Sequence, residues 1–181
     1  MKLRQAIPAL LATTMFACAE PQMKEPEPTA TPTTVELGEG RPITIKAHLN
    51  DYVTCEMALE GENKNMLAAS RYAPGDWERF TMFTRADGKV SFKAANGKFV
   101  CWDELKGGVL FADRDQAGDW ETFTLVPMDS GKVALKVANG TFVSADYDLK
   151  DERKGTLVGN RQEAHEWETF TLEPVVVPAA Q

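Results

Sequence analysis

The stretch GDWERFTMF at residues 75–83 decides the fold, because similar sequences occur three times along the chain. It returns as GDWETFTLV at 118–126 and as HEWETFTLE at 165–173. From Ile43 onward the whole chain can be aligned with itself in three parts, each ending on one of these copies. Repetition at this period is typical of an architecture built from copies of one supersecondary unit.

Each repeat predicts four short strands. The first alternates apolar and polar residues, as in VSFKA at 90–94, which is typical of a half-buried strand. Asn-Gly dipeptides at 96–97 and 139–140 then favour a tight hairpin turn into a second strand. A third strand follows a polar loop, and the Trp-Glu-x-Phe-Thr segment closes the repeat. No segment has the 3.6-residue period of a helix.

Three four-stranded repeats predict an all-β protein with a single β-trefoil at 41–174, made of a six-stranded barrel and a hairpin cap. A propeller of such units would need at least about four blades to close. The core positions should meet around a pseudo-threefold axis and be almost fully buried: Ile45, Phe80, Phe92, Phe123, Leu135 and Phe170. The repeated tryptophans stand an odd number of positions from the phenylalanines, so we expect a backbone bend with the indoles packed under the hairpins: Trp77, Trp120 and Trp167.

These repeats resemble the fascin-like, actin-crosslinking-type β-trefoil family over residues 41–174. The resemblance lies in GKVSFKAANGKFVCWDE at 88–104, GKVALKVANGTFVSAD at 131–146 and the GDWETFTL closures. Repeat one departs furthest, with KAHLNDYVTCE at 46–56. The resemblance implies the trefoil fold. It does not carry over actin bundling, since fascin uses four trefoils and this chain has one.

Residues 1–18 predict an export signal, because a positive start is followed by an apolar run too short to cross a bilayer. The sequence Met15–Cys18 resembles a bacterial lipobox, in which Cys18 is acylated. The alternative is ordinary cleavage at Ala17-Cys18-Ala19, which removes Cys18. The Pro/Thr/Glu-rich segment 19–40 suits a disordered tether. It favours lipid anchoring to the bacterial outer membrane over a periplasmic or secreted protein. Residues 175–181 are predicted to be a disordered tail.

Charge and motif content exclude several function classes. The formal net charge is −7 and the pI about 4.9, which disfavours a nucleic-acid partner. The sequence has no serine elbow, phosphate-binding glycine loop or His-Glu-x-x-His motif. The acidic run at 146–152 lacks the glycine and spacing of a calcium loop. We therefore expect a monomer that is not an enzyme, has no cofactor or metal, and contacts membrane only through its lipid.

Charged residues recur at equivalent positions in all three repeats. An acid follows each second strand and an arginine follows each third strand, which predicts three bracing pairs: Glu56–Arg71, Asp103–Arg114 and Asp146–Arg161. A further glutamate follows each repeated tryptophan: Glu78, Glu121 and Glu168. Features present in every repeat favour a role in the scaffold.

Departures from the repeat point to a binding site. Repeat two places Trp102 before Asp103, and repeat three places Tyr147 after Asp146. An aromatic ring can stack on a sugar while a carboxylate accepts its hydroxyls. These residues predict a carbohydrate-binding module on the cell envelope. The alternative is a protein-interaction or adhesion module that binds an envelope or host protein.

Cys55 and Cys101 lie in equivalent strands of different repeats, offset by one position. Equivalent strands are set apart around the axis, whereas a disulfide needs Cα atoms within about 7 Å. Both cysteines are therefore predicted to be free thiols.

Overall fold

Twelve strands, four in each repeat, make up the protein between residues 37 and 176, the range that this computed structural model describes. Within that range there are short 3₁₀ turns but no α-helix. The strands are β1 Leu37–Lys46, β2 Tyr52–Glu56, β3 Met66–Arg71, β4 Arg79–Arg85, β5 Val90–Lys93, β6 Phe99–Asp103, β7 Val109–Arg114, β8 Thr124–Pro127, β9 Val133–Lys136, β10 Phe142–Asp146, β11 Thr156–Arg161 and β12 Thr169–Pro174.

The first and fourth strands of each repeat form a closed six-stranded barrel. β1 pairs with β4 and β12, β4 pairs with β5, and β9 pairs with β8 and β12, all antiparallel. The last gap, between β5 and the start of β8, is closed by Val90 and Phe123, whose backbones exchange hydrogen bonds of 2.9 and 2.8 Å. The predicted β-trefoil is confirmed.

The second and third strands of each repeat form the hairpins of the cap: β2–β3, β6–β7 and β10–β11. The three inner strands β3, β7 and β11 also pair with one another around the axis. The cap is therefore one connected layer in which every hairpin contacts the other two.

The core is filled in layers of three, one side chain from each repeat. All six residues predicted for it are buried, with at most 2 % of each exposed. Two further layers are equally buried and come from the cap strands: Val53, Val100 and Val143, and Leu67, Leu110 and Leu157. Alternation therefore identified the barrel layers correctly.

The bend predicted at each repeated tryptophan is also present. Trp77 and Trp120 lie in turns, and Trp167 lies in the 3₁₀ turn Glu166–Glu168. The Trp77 and Trp120 carbonyls accept hydrogen bonds from Cys55 and Trp102 of the hairpin above, at 3.2 and 2.9 Å. The bend thus ties the barrel to the cap.

The first strand starts earlier than the predicted domain boundary. Residues 37–40, assigned to the linker from composition, pair with β4, where Gly40 lies opposite Phe83. A side chain at Gly40 would place Cβ 2.7 Å from the Phe83 ring, so glycine permits this close approach. The predicted signal peptide, Cys18 and linker residues 19–36 lie outside the described residues. Of the predicted tail, only Val175 and Val176 are described, and the Val175 N–H donates to the Pro42 carbonyl at 3.0 Å.

A left-handed residue before each inner cap strand joins neighbouring repeats. Asn65, Gly108 and Gly155 have φ of 60°, 80° and 78°. Their N–H groups donate to the last residue of the preceding strand in their own repeat, at 3.0, 2.9 and 2.8 Å. Their carbonyls accept N–H groups of another repeat's inner cap strand at 2.9, 2.8 and 2.8 Å. These three carbonyl contacts, the cap triangle, link all three hairpins.

Replacing Gly155 with alanine should destabilise the protein more than its backbone conformation alone explains. Its Cβ would lie 2.3 Å from the Ala69 carbonyl oxygen, so the cap triangle would have to open. Gly88, with φ of 79° and nothing near its Cβ position, is the matched control. We expect G88A to lower the free energy of unfolding by about 1–2 kcal/mol and G155A by about 2 kcal/mol more, measured by urea unfolding. Equal losses in the two variants would contradict the steric argument.

Candidate functional site

A buried glutamate follows the repeated tryptophan in every repeat. Glu78, Glu121 and Glu168 are only 4 %, 6 % and 4 % exposed. One oxygen of each accepts the backbone N–H three positions earlier, at 2.6, 2.8 and 2.9 Å. This bond fixes the carboxylate within its own turn.

The arginine that ends each inner cap strand faces the other oxygen of that glutamate. The Nε atoms of Arg71, Arg114 and Arg161 lie 3.9, 3.8 and 3.7 Å from it. A buried carboxylate is stable only when it is paired and hydrogen-bonded. The glutamate set noted in the sequence therefore supplies the arginine contact that all three repeats share.

Two of the three predicted acid–arginine pairs form. Glu56 lies 3.0 Å from Nη2 of Arg71, and Asp103 lies 3.6 Å from Nη2 of Arg114. Arg114 gains a third carboxylate, because Asp113 lies 3.2 Å from its Nη1.

The predicted Asp146–Arg161 pair does not form, which corrects the sequence interpretation. Oδ1 of Asp146 instead accepts the N–H of Asp148 at 3.1 Å within its own loop. Asn160 stands where repeat two has Asp113. Among residues 37–176, Glu168 is the one carboxylate within 4.0 Å of Arg161, so the Nη atoms of this arginine lack the acid partner seen in the other repeats.

Arg161 opens onto a broad surface cavity of about 760 Å³, the repeat-three cavity. Its lining mixes one aromatic ring with hydrogen-bond donors and acceptors. The residues are Arg161, Gln162, Glu163, His165, Glu166, Trp167 and Glu168.

Tyr147 supports the aromatic residue of this cavity. Its ring packs against Trp167 with centroids 6.2 Å apart and planes at 87°, an edge-to-face contact. Burial raises the pKa of Tyr147 to about 12, so the phenol stays protonated at neutral pH. The structure thus brings Tyr147 beside Trp167, whereas the Asp146 carboxylate accepts a hydrogen bond within its own loop.

Trp102 has no exposed face on which a sugar could stack. It is 3 % exposed, its Nε1 donates to the Gly159 carbonyl at 3.0 Å, and it packs edge-on against Trp120. The stacking role predicted for Trp102 is therefore replaced by a structural one, in which it fills the space that Gly159 leaves open.

Asp103 is likewise engaged inside the scaffold. It is 4 % exposed, and its Oδ1 accepts the backbone N–H groups of Leu105 and Lys106 at 3.1 and 3.2 Å. It caps the 3₁₀ turn Glu104–Lys106 while facing Arg114. Its carboxylate is therefore occupied by protein groups.

A second groove, of about 380 Å³, lies between the hairpins of repeats one and three. Tyr147 lines it together with Tyr72, whose side chain is almost fully exposed, and with Asp51, Asp151 and Lys154. Burial raises the pKa of Asp51. Tyr147 therefore contributes to this groove on one side and packs on Trp167 on the other.

Cys55 and Cys101 are free and fully buried. Burial raises the pKa of Cys55 to about 12, and burial together with a hydrogen bond to Glu121 also raises the pKa of Cys101. Because thiolates are the reactive species, these thiols should be inert in the folded protein.

A thiol titration tests this environment. In a Cys18→Ser chain, Cys55 and Cys101 are the remaining cysteines. We expect two reactive thiols after unfolding without reductant, and slow reaction of the native protein even at pH 9, since the pKa of Cys55 lies well above that. Zero thiols after unfolding would reveal a disulfide, and fast native labelling would show that the cap opens readily.

No helix among the described residues is long and apolar enough to cross a membrane. Between residues 37 and 176, no group of three or more His, Cys, Asp or Glu side chains is arranged to hold a metal ion.

Comparison with known sequences identifies the family. Residues 37–152, more than half of the chain, match the family described as Domain of unknown function (DUF7910). The chain belongs to this family. No curated protein matches the sequence.

Solved structures share the fold at low sequence identity. A designed threefold-symmetric protein, ThreeFoil, is 14 % identical, with a TM-score of 0.63 over 74 % of this chain and 99 % of its own. The Rhizoctonia solani agglutinin is 11 % identical, with a TM-score of 0.57 over 80 % of this chain and 100 % of its own. An exo-β-1,3-galactanase from Clostridium thermocellum is 8 % identical, with a TM-score of 0.64 over 77 % of this chain and 31 % of its own. The chain thus spans about a third of that enzyme, and these likenesses establish the trefoil.

The sequence interpretation missed the repeat-three cavity, although a signal for it exists. His165 stands where repeats one and two have Gly75 and Gly118. Asn160 stands where repeat two has an acid, beside the arginine that all three repeats share. Both changes precede Trp167 in the chain and lie outside the hairpin residues from which the binding site was predicted.

Proposed function

We propose that this protein is a non-enzymatic glycan-binding module, and that the sugar lies in the repeat-three cavity against Trp167. The observation that carries the proposal is the lining of this cavity. Binding a sugar requires an aromatic surface for its C–H face and both donors and acceptors for its hydroxyls. Trp167 offers the first, and Arg161, Gln162 and the exposed glutamates offer the second.

The buried glutamates after the repeated tryptophans support a binding role over a catalytic one. The buried glutamates recur three times and each is held by a backbone N–H and an arginine, so they serve the scaffold. The trefoil shared with an agglutinin and a galactanase agrees with a carbohydrate-related role.

A glycan array with the purified protein tests both function and site. We expect binding to a defined set of glycans, weakened about tenfold or more in W167A because the stacking surface and its apolar contact are lost. W120A is the matched control, since Trp120 stands at the equivalent position of repeat two, has its own edge-on aromatic partner, and lies outside the cavity.

The results distinguish a wrong function from a wrong binding site. If the wild-type protein binds no glycan, the proposed function is wrong. If it binds and W167A binds equally well, the function stands and the site lies elsewhere, with the Tyr72–Tyr147 groove as the next candidate.

The location that we propose for this module is the bacterial cell envelope, with a lipid on Cys18 as its anchor. Support comes from the sequence alone, namely the lipobox-like Met15–Cys18 and the Pro/Thr/Glu-rich segment after it. We expect Cys18→Ala to move the protein from the membrane fraction to the soluble fraction of the cell. An unchanged distribution would contradict lipid anchoring.

A further inference from the structure

We infer that the repeat-three cavity selects a sugar that carries a carboxylate, such as a uronic or sialic acid, through the Nη atoms of Arg161. This inference rests on the glycan-binding role proposed above and specifies the ligand class of the same site. Its basis is the pairing of the repeated arginine with acids. In repeats one and two the Nη atoms of that arginine face a carboxylate of the protein, and in repeat three they do not.

In repeats one and two the protein supplies the acid for the outer edge of the arginine. Nη2 of Arg71 lies 3.0 Å from Glu56, and Nη2 of Arg114 lies 3.6 Å from the equivalent Asp103. Nη1 of Arg114 also lies 3.2 Å from Asp113. In repeat three no carboxylate of the described residues takes that place at Arg161, although the glutamate contact at Nε is kept. The missing partner is a carboxylate, and the cavity lies where a ligand could supply it.

One edge of Arg161 is already paired with a buried carboxylate of the protein. Its Nε faces Oε1 of the buried Glu168 at 3.7 Å, and Oε2 of Glu168 is fixed by the His165 N–H at 2.9 Å. The guanidinium is planar with donors in a fixed fork, so anchoring one edge leaves the Nη edge for a second acceptor. A carboxylate fits that edge with two parallel hydrogen bonds. The side chain is 42 % exposed, so the edge is accessible.

The acidic residues at the rim oppose an anion only weakly. Glu163 and Glu166 are 80 % and 81 % exposed, and each faces a histidine, His165 at 3.5 Å and His48 at 3.6 Å. Charges exposed to this extent interact through water and are screened by salt. Their sign still predicts a direction, because removing one of them should strengthen binding of an acidic sugar and leave a neutral sugar unchanged.

The experiment compares acidic oligosaccharides with their carboxyl-reduced counterparts, in which each carboxylate has become an alcohol. Galacturonate, glucuronate and sialic-acid oligosaccharides serve as probes, with calorimetric titration of the full chain. We expect the acidic form of at least one to bind about tenfold or more tightly than its reduced form. The preference should shrink at high salt and grow in E163Q.

R161Q should abolish the preference, whereas R114Q should keep it. Arg114 is the matched control, because it makes the same glutamate contact in repeat two and lies outside the cavity. R161K provides a second variant that retains a positive charge for Glu168 but loses the fork, and it should lose most of the preference. If R161Q does not fold, as judged by thermal unfolding, R161K decides the test.

Each result bears on one of the two proposals. Equal binding of acidic and reduced forms overturns this inference and leaves the glycan-binding function standing. A preference that survives in R161Q or R161K, or is lost in R114Q, also overturns it, as does a glycan array that shows binding to neutral glycans alone. Binding to neither form of any probe, together with a blank glycan array, removes the proposed function itself.

Discussion

The cap triangle of Asn65, Gly108 and Gly155 is the constraint on which the rest of the molecule depends. Each residue turns the chain with a positive φ that only glycine and asparagine adopt readily. Each carbonyl then holds the inner cap strand of another repeat. Because those strands each end on the arginine of the repeat, the triangle sets where all three guanidinium groups lie.

The charges of the hairpins follow from that placement. Once the arginine is fixed, the glutamate after the repeated tryptophan can be buried beside it, and that glutamate in turn fixes the bend that joins barrel to cap. The buried ion pairs are therefore links between two layers of the fold. Their energetic role is modest where the arginine is partly exposed, but their geometry determines which donors remain for a ligand.

Features of the fold that depend on local sequence pattern were predicted correctly. Alternation identified the barrel layers that contain Phe92 and Phe123, and the Asn-Gly dipeptides identified two hairpins. The Trp102 prediction failed because the partner of its indole, Gly159, lies 57 positions away, and nothing local indicates that a space exists there. Composition also placed residues 37–40 in the linker, since their pairing depends on β4 rather than on their own apolar content. The Asp146–Arg161 prediction failed for a local reason, because Oδ1 of Asp146 bonds the Asp148 N–H and the carboxylate does not come within 4.0 Å of Arg161.

The contact between Trp102 and Gly159 also bears on how the chain can change over evolution. A Cβ at residue 159 would lie 2.7 Å from the indole, and the equivalent positions in the other repeats are Ala69 and Ala112. A chain built from three copies of repeat two would set each tryptophan against an alanine, so the indoles or the cap strands would have to shift. Copying repeat two over repeat three is therefore disfavoured by this single complementary pair. The indole of repeat two and the glycine of repeat three can therefore change only together.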